Sequence, residues 1–224
     1  MPRLLDLFCG RLGWSKAFLA KGWECVGVDL VEPPEIPQGF MFIKRDVMQI
    51  WATNGWVHMD NEFACLWSQE FDFICASPPC EQFSVHGMKH FHPNPPYPEL
   101  GIKLFNHTRE ICEASGVPYV MENVRAAQQF VGNAVHHCGP FYMWGNGVPP
   151  LVNQGIKKNW ATKYIDKNGR KRDGGPGRRH WAGSLGRLNA TAEVATIPPE
   201  LASCVADYAE RLIEQKQAMS ISYD

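Results

Sequence analysis

The sequence predicts an α/β fold built around a mostly parallel, doubly wound sheet. Two observations carry that expectation: short apolar runs alternate with segments of helical spacing, and polar or reactive residues fall where the apolar runs end. Alternation of this kind reads as successive βαβ units, and in such sheets ligands bind beyond the carboxyl ends of the strands. A third observation is a basic, glycine-rich segment late in the chain, where the alternation stops.

Arg3 to Phe8 is a short apolar run that ends in the tight turn Cys9-Gly10-Arg11-Leu12-Gly13. Trp14 to Lys21 follows with Trp14, Ala17 and Phe18 on one helical face, and Gly22 is placed to cap it. Glu24 to Leu30 reads as a second buried strand with Asp29 at its end. Phe71 to Ala76 is another, leading into Ser77-Pro78-Pro79-Cys80. Leu104 to Ala114 has helical spacing, and Val117 to Val124 is a strand ending in Glu122-Asn123. Beyond Val124 the texture changes. Gly139 to Gly147 is aromatic and glycine-rich, and Tyr164 to Arg170 resembles a hairpin tip, because Asn168-Gly169 favours the positive φ of a type I′ turn. From Pro199 to Gln215 an amphipathic helix returns, with Leu201, Val205, Tyr208, Ala209 and Leu212 on one face. Met219 to Asp224 is expected to fray. The division that follows is an α/β core over 1–124, a small aromatic and basic insert over 125–186, and a C-terminal segment over 187–224 whose helix returns to the core.

A chain of 224 residues, 45% hydrophobic and 20% charged, is globular in balance and long enough to bury a core without disulfides or metals. The net charge of −1 conceals an asymmetry: Lys157 to Arg187 holds ten Lys or Arg against Asp166 and Asp173. A basic segment of about +8 on an acidic body points to a polyanionic partner met at one place. No run approaches the roughly 18 apolar residues that span a membrane, and Asp6 interrupts the apolar N-terminus, so neither membrane insertion nor secretion is expected. Eight cysteines occur without a CxxC, most within apolar runs, which favours reduced thiols and a cytoplasmic setting. The oligomeric state is not legible.

Three constellations carry chemistry. Glycines at the end of the first strand let a ligand approach the backbone, and Asp29 is placed to accept hydrogen bonds from a ribose. In Ser77-Pro78-Pro79-Cys80-Glu81-Gln82-Phe83-Ser84 the two prolines fix φ and hold the following thiol rigidly beyond a strand end, which makes Cys80 a candidate nucleophile. Glu122, at the end of an apolar strand, is a carboxyl suited to holding or donating a proton. His86, His90 and His92 fall within seven residues, but no cysteine or acid completes a ligand set, so no metal is expected.

Phe8-Cys9-Gly10 with Gly13, Pro78-Pro79-Cys80-Glu81-Gln82-Phe83-Ser84 and Glu122-Asn123-Val124 resemble three ordered motifs of the cytosine-C5 DNA methyltransferase family. Gly101 to Phe105, Arg45-Asp46-Val47, Arg187 to Glu193 and Ile197 to Ala202 resemble further motifs of that family. The resemblance implies a Rossmann-like class I methyltransferase fold and S-adenosylmethionine lying across Phe8, Gly10, Leu12, Gly13, Asp29, Leu30, Asp46, Val47, Pro79 and Leu104. It implies that Cys80 and Glu122 are catalytic and that the 125–186 insert recognises the target. Double-stranded DNA is the implied partner, with Gln82, Ser84, Arg125, Lys157, Lys158, Arg170, Lys171, Arg172, Arg178 and Arg179 against it. Trp160, Tyr164 and Trp181 are interleaved with these cations as stacking candidates. Compact members of the family are often phage-encoded, which points to a phage or prophage source.

Two departures from the pattern stand out. Leu12 occupies a position where the family has glycine, and His136 to Pro140 stands where a Gln-x-Arg-x-Arg motif belongs. Arg125 or the basic insert is then the source of the missing arginine. Two other readings remain open: the same chemistry on RNA, since one branch of the family modifies transfer RNA, and a catalytically silent nucleic-acid-binding module.

Overall fold

A seven-stranded sheet organises the chain in a computed structural model that describes residues 1–53, 56–60, 66–87, 98–150, 162–165, 171–174 and 196–221. The first unit runs β1 (Arg3–Leu7), α1 (Ser15–Leu19), β2 (Glu24–Asp29) and β3 (Phe40–Lys44). A small antiparallel sheet follows: β4 (Ile50–Thr53), β5 (Trp56–Asp60) and β6 (Leu66–Gln69). The second unit comprises β7 (Phe73–Ala76), α2 (Glu81–Gly87), α3 (Glu99–Ser115), β8 (Tyr119–Asn123), α4 (Gln128–Val131), β9 (His136–Cys138) and β10 (Phe141–Trp144). The hairpin β11 (Thr162–Ile165) and β12 (Lys171–Gly174) precedes α5 (Pro199–Ile221).

The main sheet has the order β3-β2-β1-β7-β8-β10-β9. Its first five strands are parallel, and β10 is antiparallel to both neighbours. The chain winds outward from β1 through β2 to β3, then resumes on the other side of β1 with β7 and β8. The switch point therefore lies between β1 and β7, where doubly wound sheets bind ligands.

Parallel strands covered on both faces must be apolar on both faces. Every residue of β7 and β8 is buried, as is β1 after Arg3. One face joins Leu4, Phe18 and Phe73 to Leu201, Val205 and Ala209 of α5. The other joins Leu5, Leu7 and Met121 to Phe105 and Ile111 of α3. After α1, Gly22 takes φ +80°, its N–H donates to Leu19 O at 3.0 Å, and Trp23 N–H donates to Phe18 O at 3.2 Å. That is the double closure for which a left-handed glycine is favoured.

The elements depart from expectation in four places. α3 begins at Glu99, a turn and a half before Leu104, and α5 is helical through Met219 to Ile221, where the sequence predicts fraying. The sheet does not stop at Val124, because β10 pairs with β8 along Tyr142–Asn123, Met143–Glu122 and Trp144–Met121. The three strands β4 to β6 have no counterpart in the sequence-based expectation. The expected hairpin around Asn168-Gly169 has its two strands in β11 and β12, while residues 166–170 of its tip lie outside the described residues.

Candidate active site

Five consecutive strand ends, taken in the order of the sheet, supply the walls of one cavity of about 340 Å³, a size typical of small-molecule sites. Asp46 follows β3, Asp29 ends β2, the Phe8–Gly13 turn follows β1, Ser77–Cys80 follows β7, and Glu122 lies near the end of β8. Phe8, Gly10, Gly13, Asp29, Leu30, Asp46, Val47, Pro79 and Leu104 all line it, together with Cys80 and Glu122. Leu12 does not. It is 2% exposed and packs in the apolar layer with Phe18 and Leu201, because the turn directs its side chain inward.

The β1 turn is held by its neighbours. Phe8 and Cys9 N–H both donate to Val28 O, at 2.9 and 3.2 Å, and Leu12 N–H donates to Cys9 O at 2.7 Å. One carboxylate oxygen of Asp29 accepts Gly10 N–H at 2.9 Å and the other accepts Val31 N–H at 3.2 Å, so this acid shapes the turn it was expected to complement. Phe8 and Leu12 sit at φ +60° and +63°, a left-handed conformation that costs a non-glycine residue about 1–2 kcal/mol. A β-carbon on Gly13 would come within 3.0 Å of Ile197, so the C-terminal segment presses against the turn, and Thr196 and Ile197 close that wall.

Beneath the turn, Asp6 is fully buried and accepts Ser15 N–H and Oγ–H on one oxygen, while its Oδ1 has no partner among the described residues. Burial pushes its carboxyl up to about 7, against the pull of the Ser15 hydrogen bonds.

The loop carrying the candidate nucleophile is fixed at three points. Ser77 N–H donates to Leu7 O at 3.2 Å, Trp14 Nε1–H donates to Ser77 Oγ at 3.0 Å, and Asn123 Nδ2–H donates to Pro78 O at 2.9 Å. Cys80 immediately precedes α2, its carbonyl accepting Ser84 N–H at 2.8 Å. Two cysteines line the cavity, and burial separates them. Burial, reinforced by the charges of Asp6 and Asp29, holds the Cys9 thiol well above its ordinary range, so it stays protonated. Cys25, Cys75 and Cys112 are raised by burial as well. Cys80 is half-buried and Glu122 is 8% exposed.

Five of the expected nucleic-acid residues, Gln82, Ser84, Arg125, Lys171 and Arg172, are among the described residues. Gln82 is engaged inside the fold, its side-chain carbonyl accepting Gly101 N–H at 2.8 Å and joining α2 to α3. Ser84 is half-buried, and Arg125 is exposed in a 3₁₀ turn that does not line the cavity. Lys171 and Arg172 lie on β12, whereas Lys157, Lys158, Arg170, Arg178 and Arg179 lie outside the described residues, as do His90 and His92, Trp160 and Trp181, and the 187–193 motif.

Arg11, Trp14, Arg45 and Thr196 also line the cavity, although the sequence assigns them no role at the site. Arg45 beside Asp46 and Arg11 between Gly10 and Gly13 are the positions a charge-based reading could have found; Thr196 offers no signal. His107 of α3 is a further residue that sequence reasoning misses. Its Nε2–H donates to both Val47 O (3.1 Å) and Ile50 O (3.0 Å), holding the turn that carries Asp46.

Residues 3–137 match the family described as C-5 cytosine-specific DNA methylase. No curated protein matches the chain. Among solved structures, a protein described as a DNA modification methyltransferase encoded within an E. coli prophage is 17% identical, with a TM-score of 0.36 over 58% of this chain and 34% of its own. The Burkholderia thailandensis 1,6-didemethyltoxoflavin-N1-methyltransferase is 15% identical, with a TM-score of 0.32 over 64% of this chain and 54% of its own. The chain thus spans about a third of the length of the first and about half of the second.

Proposed function

Because the chain belongs to the C-5 cytosine-specific DNA methylase family, we propose that it methylates C5 of cytosine in double-stranded DNA, with S-adenosylmethionine as donor and Cys80 as covalent nucleophile. The observation that carries this reading is the convergence of Cys80, Glu122 and two cofactor-type carboxylates, Asp29 and Asp46, on one cavity at the switch point of the sheet.

The donor set suits the cofactor. Asp29 offers carboxylate oxygens to ribose hydroxyls and Asp46 to an adenine amine, while Leu30, Val47 and Leu104 give apolar surface for a planar ring. Asp46 Oδ1 already accepts Met48 N–H at 2.9 Å, which fixes its orientation. Bound there, S-adenosylmethionine supplies an electrophilic methyl group.

Cytosine C5 and C6 cannot be reached within the stack, so the target base leaves the duplex to enter the cavity. The Cys80 thiolate attacks C6, forming a C–S bond and pushing electron density onto C5. Glu122 hydrogen-bonds the base edge and supplies a proton at N3, which neutralises the charge that develops there. As C5 takes the methyl group, the donor's S–CH3 bond breaks; C5 then gives its proton to water, N3 returns its proton to Glu122, the C6–S bond breaks and the Cys80 thiolate is released. Pro78 and Pro79 keep the sulfur in place through both steps, since their fixed φ leaves the loop little freedom. Lys171 and Arg172, with the other cations of residues 157–187, neutralise backbone phosphates.

The test is trapping on duplex DNA containing 5-fluorocytosine, whose fluorine cannot leave as a proton, in the presence of S-adenosylmethionine. The expected result is a covalent protein–DNA adduct that Cys80→Ser abolishes and Glu122→Gln forms more slowly. An adduct with RNA but not DNA would reassign the substrate. No adduct with either would leave a binding module.

A further inference from the structure

The order of the strand ends gives the bound cofactor a direction. With Asp46 after β3, Asp29 at the end of β2, the Phe8–Gly13 turn after β1 and Cys80 after β7, a ligand with its adenine at Asp46 and ribose at Asp29 lays its amino-acid end over the β1 turn. Its sulfonium then faces the base held between Cys80 and Glu122. The amino-acid end carries an α-carboxylate, and that carboxylate enters a cavity whose walls hold the acids Asp29, Asp46, Glu81 and Glu122. An anion there needs a positively charged partner or well-aimed N–H donors.

The backbone offers only neutral donors. N–H groups at a glycine-rich turn commonly cradle anions; here those of Phe8, Cys9, Gly10 and Leu12 are engaged within the protein, and those of Arg11, Gly13 and Trp14 have no partner among the described residues. The start of α1 is occupied as well, since Ser15 N–H donates to buried Asp6. Of the two cations on the cavity wall, Arg45 belongs to the adenine end, where its Nη1–H donates to Gln49 at 3.3 Å. Arg11 stands on the β1 turn itself. It is half-buried and has no ion pair or hydrogen bond among the described residues.

Building on the proposed function, we infer that Arg11 is the anchor for the α-carboxylate of S-adenosylmethionine, its guanidinium supplying the positive charge that the neutral turn amides lack among the acids of the cavity wall. The planar fork of arginine suits a carboxylate by two parallel N–H···O bonds. The same interaction fixes the amino-acid chain, and through it the position of the sulfonium relative to Cys80.

The test is calorimetric titration of wild type, Arg11→Ala and Arg11→Lys with S-adenosylmethionine and with its decarboxylated form, which lacks only the α-carboxylate. Arg11→Ala is expected to weaken S-adenosylmethionine binding roughly 10- to 100-fold and to leave the decarboxylated form within about twofold, with Arg11→Lys between wild type and Ala. Loss of the wild-type preference for the carboxylated ligand in Arg11→Ala is the signature. Equal weakening of both ligands, or retention of that preference, overturns the assignment. Unchanged cofactor binding with weakened duplex binding also overturns it and makes Arg11 a phosphate ligand. A wild-type protein that binds neither ligand removes the proposed function together with this inference.

Discussion

The side-chain amide of Asn123 donates to the carbonyl of Pro78 at 2.9 Å, a buried hydrogen bond that ties the strand bearing Glu122 to the loop bearing Cys80. Its Oδ1 accepts Val124 N–H at 2.9 Å, so both ends of the amide are used. Asn123→Ala leaves the Pro78 carbonyl without its donor, and stability is expected to fall by about 1–3 kcal/mol. The larger effect falls on alignment: a displacement on the scale of an ångström costs about 100-fold in rate. We expect kcat to drop while cofactor affinity holds. Asn123→Asp, which fills the same space but sets an acceptor against the carbonyl, should behave like Ala. Wild-type kcat in both variants, measured beside their unfolding curves, would reduce the hydrogen bond to a packing role.

His107 makes the corresponding link on the side of the cavity that carries Asp46. Its Nε2–H serves Val47 O and Ile50 O at once, so the ring must carry a proton on that nitrogen, and α3 thereby holds the turn bearing Asp46. His107→Ala is expected to weaken S-adenosylmethionine binding roughly 2- to 10-fold, the scale of a neutral hydrogen bond. His107→Gln, which keeps a donor of similar reach, should recover part of that loss, and duplex affinity should not change. Equal cofactor affinity in all three proteins would separate His107 from the site.

The doubly wound sheet is legible in the sequence because its central strands are buried on both faces. Leu4, Leu5 and Leu7, or Phe73 to Ala76, therefore appear as unbroken apolar runs. The antiparallel strands β4 and β5 hide their alternation. Ile50, Ala52, Val57 and Met59 point inward, but exposed Trp51 and Trp56 occupy the outer face, so the period of two is masked by apolar residues on both sides. The same distinction governs the site. Cys80 beside Pro78-Pro79 and Glu122 beside Asn123 are each recognisable from adjacent residues. Arg11 and Thr196 acquire meaning only when α5 brings the 196–197 segment against the β1 turn.

Asp6 gives the fold a pH dependence opposite to that of a salt-bridged acid. Its carboxyl is raised from 3.8 to about 7, chiefly by burial. Below about pH 4 both the folded and the unfolded chain hold the proton. Between about pH 4 and 7 the unfolded chain releases it while the folded chain keeps it, so stability falls as pH rises, by about 4 kcal/mol in total, and levels off above about pH 7. Asp6→Asn retains an oxygen to accept Ser15 N–H and Oγ–H but cannot ionise. Relative to wild type, this variant should therefore gain stability steadily from about pH 4 to about pH 7 in denaturant titrations. Parallel pH curves for the two proteins would show that Asp6 ionises as readily folded as unfolded.

On the proposed function, the basic hairpin is the element that would contact the phosphates of the duplex. β12 carries Lys171, Arg172 and Asp173, paired with Ile165, Tyr164 and Lys163 of β11, and Arg170 immediately precedes it. Each phosphate neutralised on duplex DNA releases about 0.9 of a counterion, and log K falls with log salt in proportion. Replacing Arg170, Lys171 and Arg172 together by Gln should weaken duplex binding at low salt and flatten the slope by about 0.9 for each phosphate no longer neutralised, up to about 2.7. Because these cations are sequence-independent in action, the loss should be equal on any duplex, and S-adenosylmethionine affinity should stay at the wild-type value. An unchanged salt slope would place phosphate binding elsewhere on the chain, and a loss confined to one DNA sequence would make the hairpin a reader of bases instead.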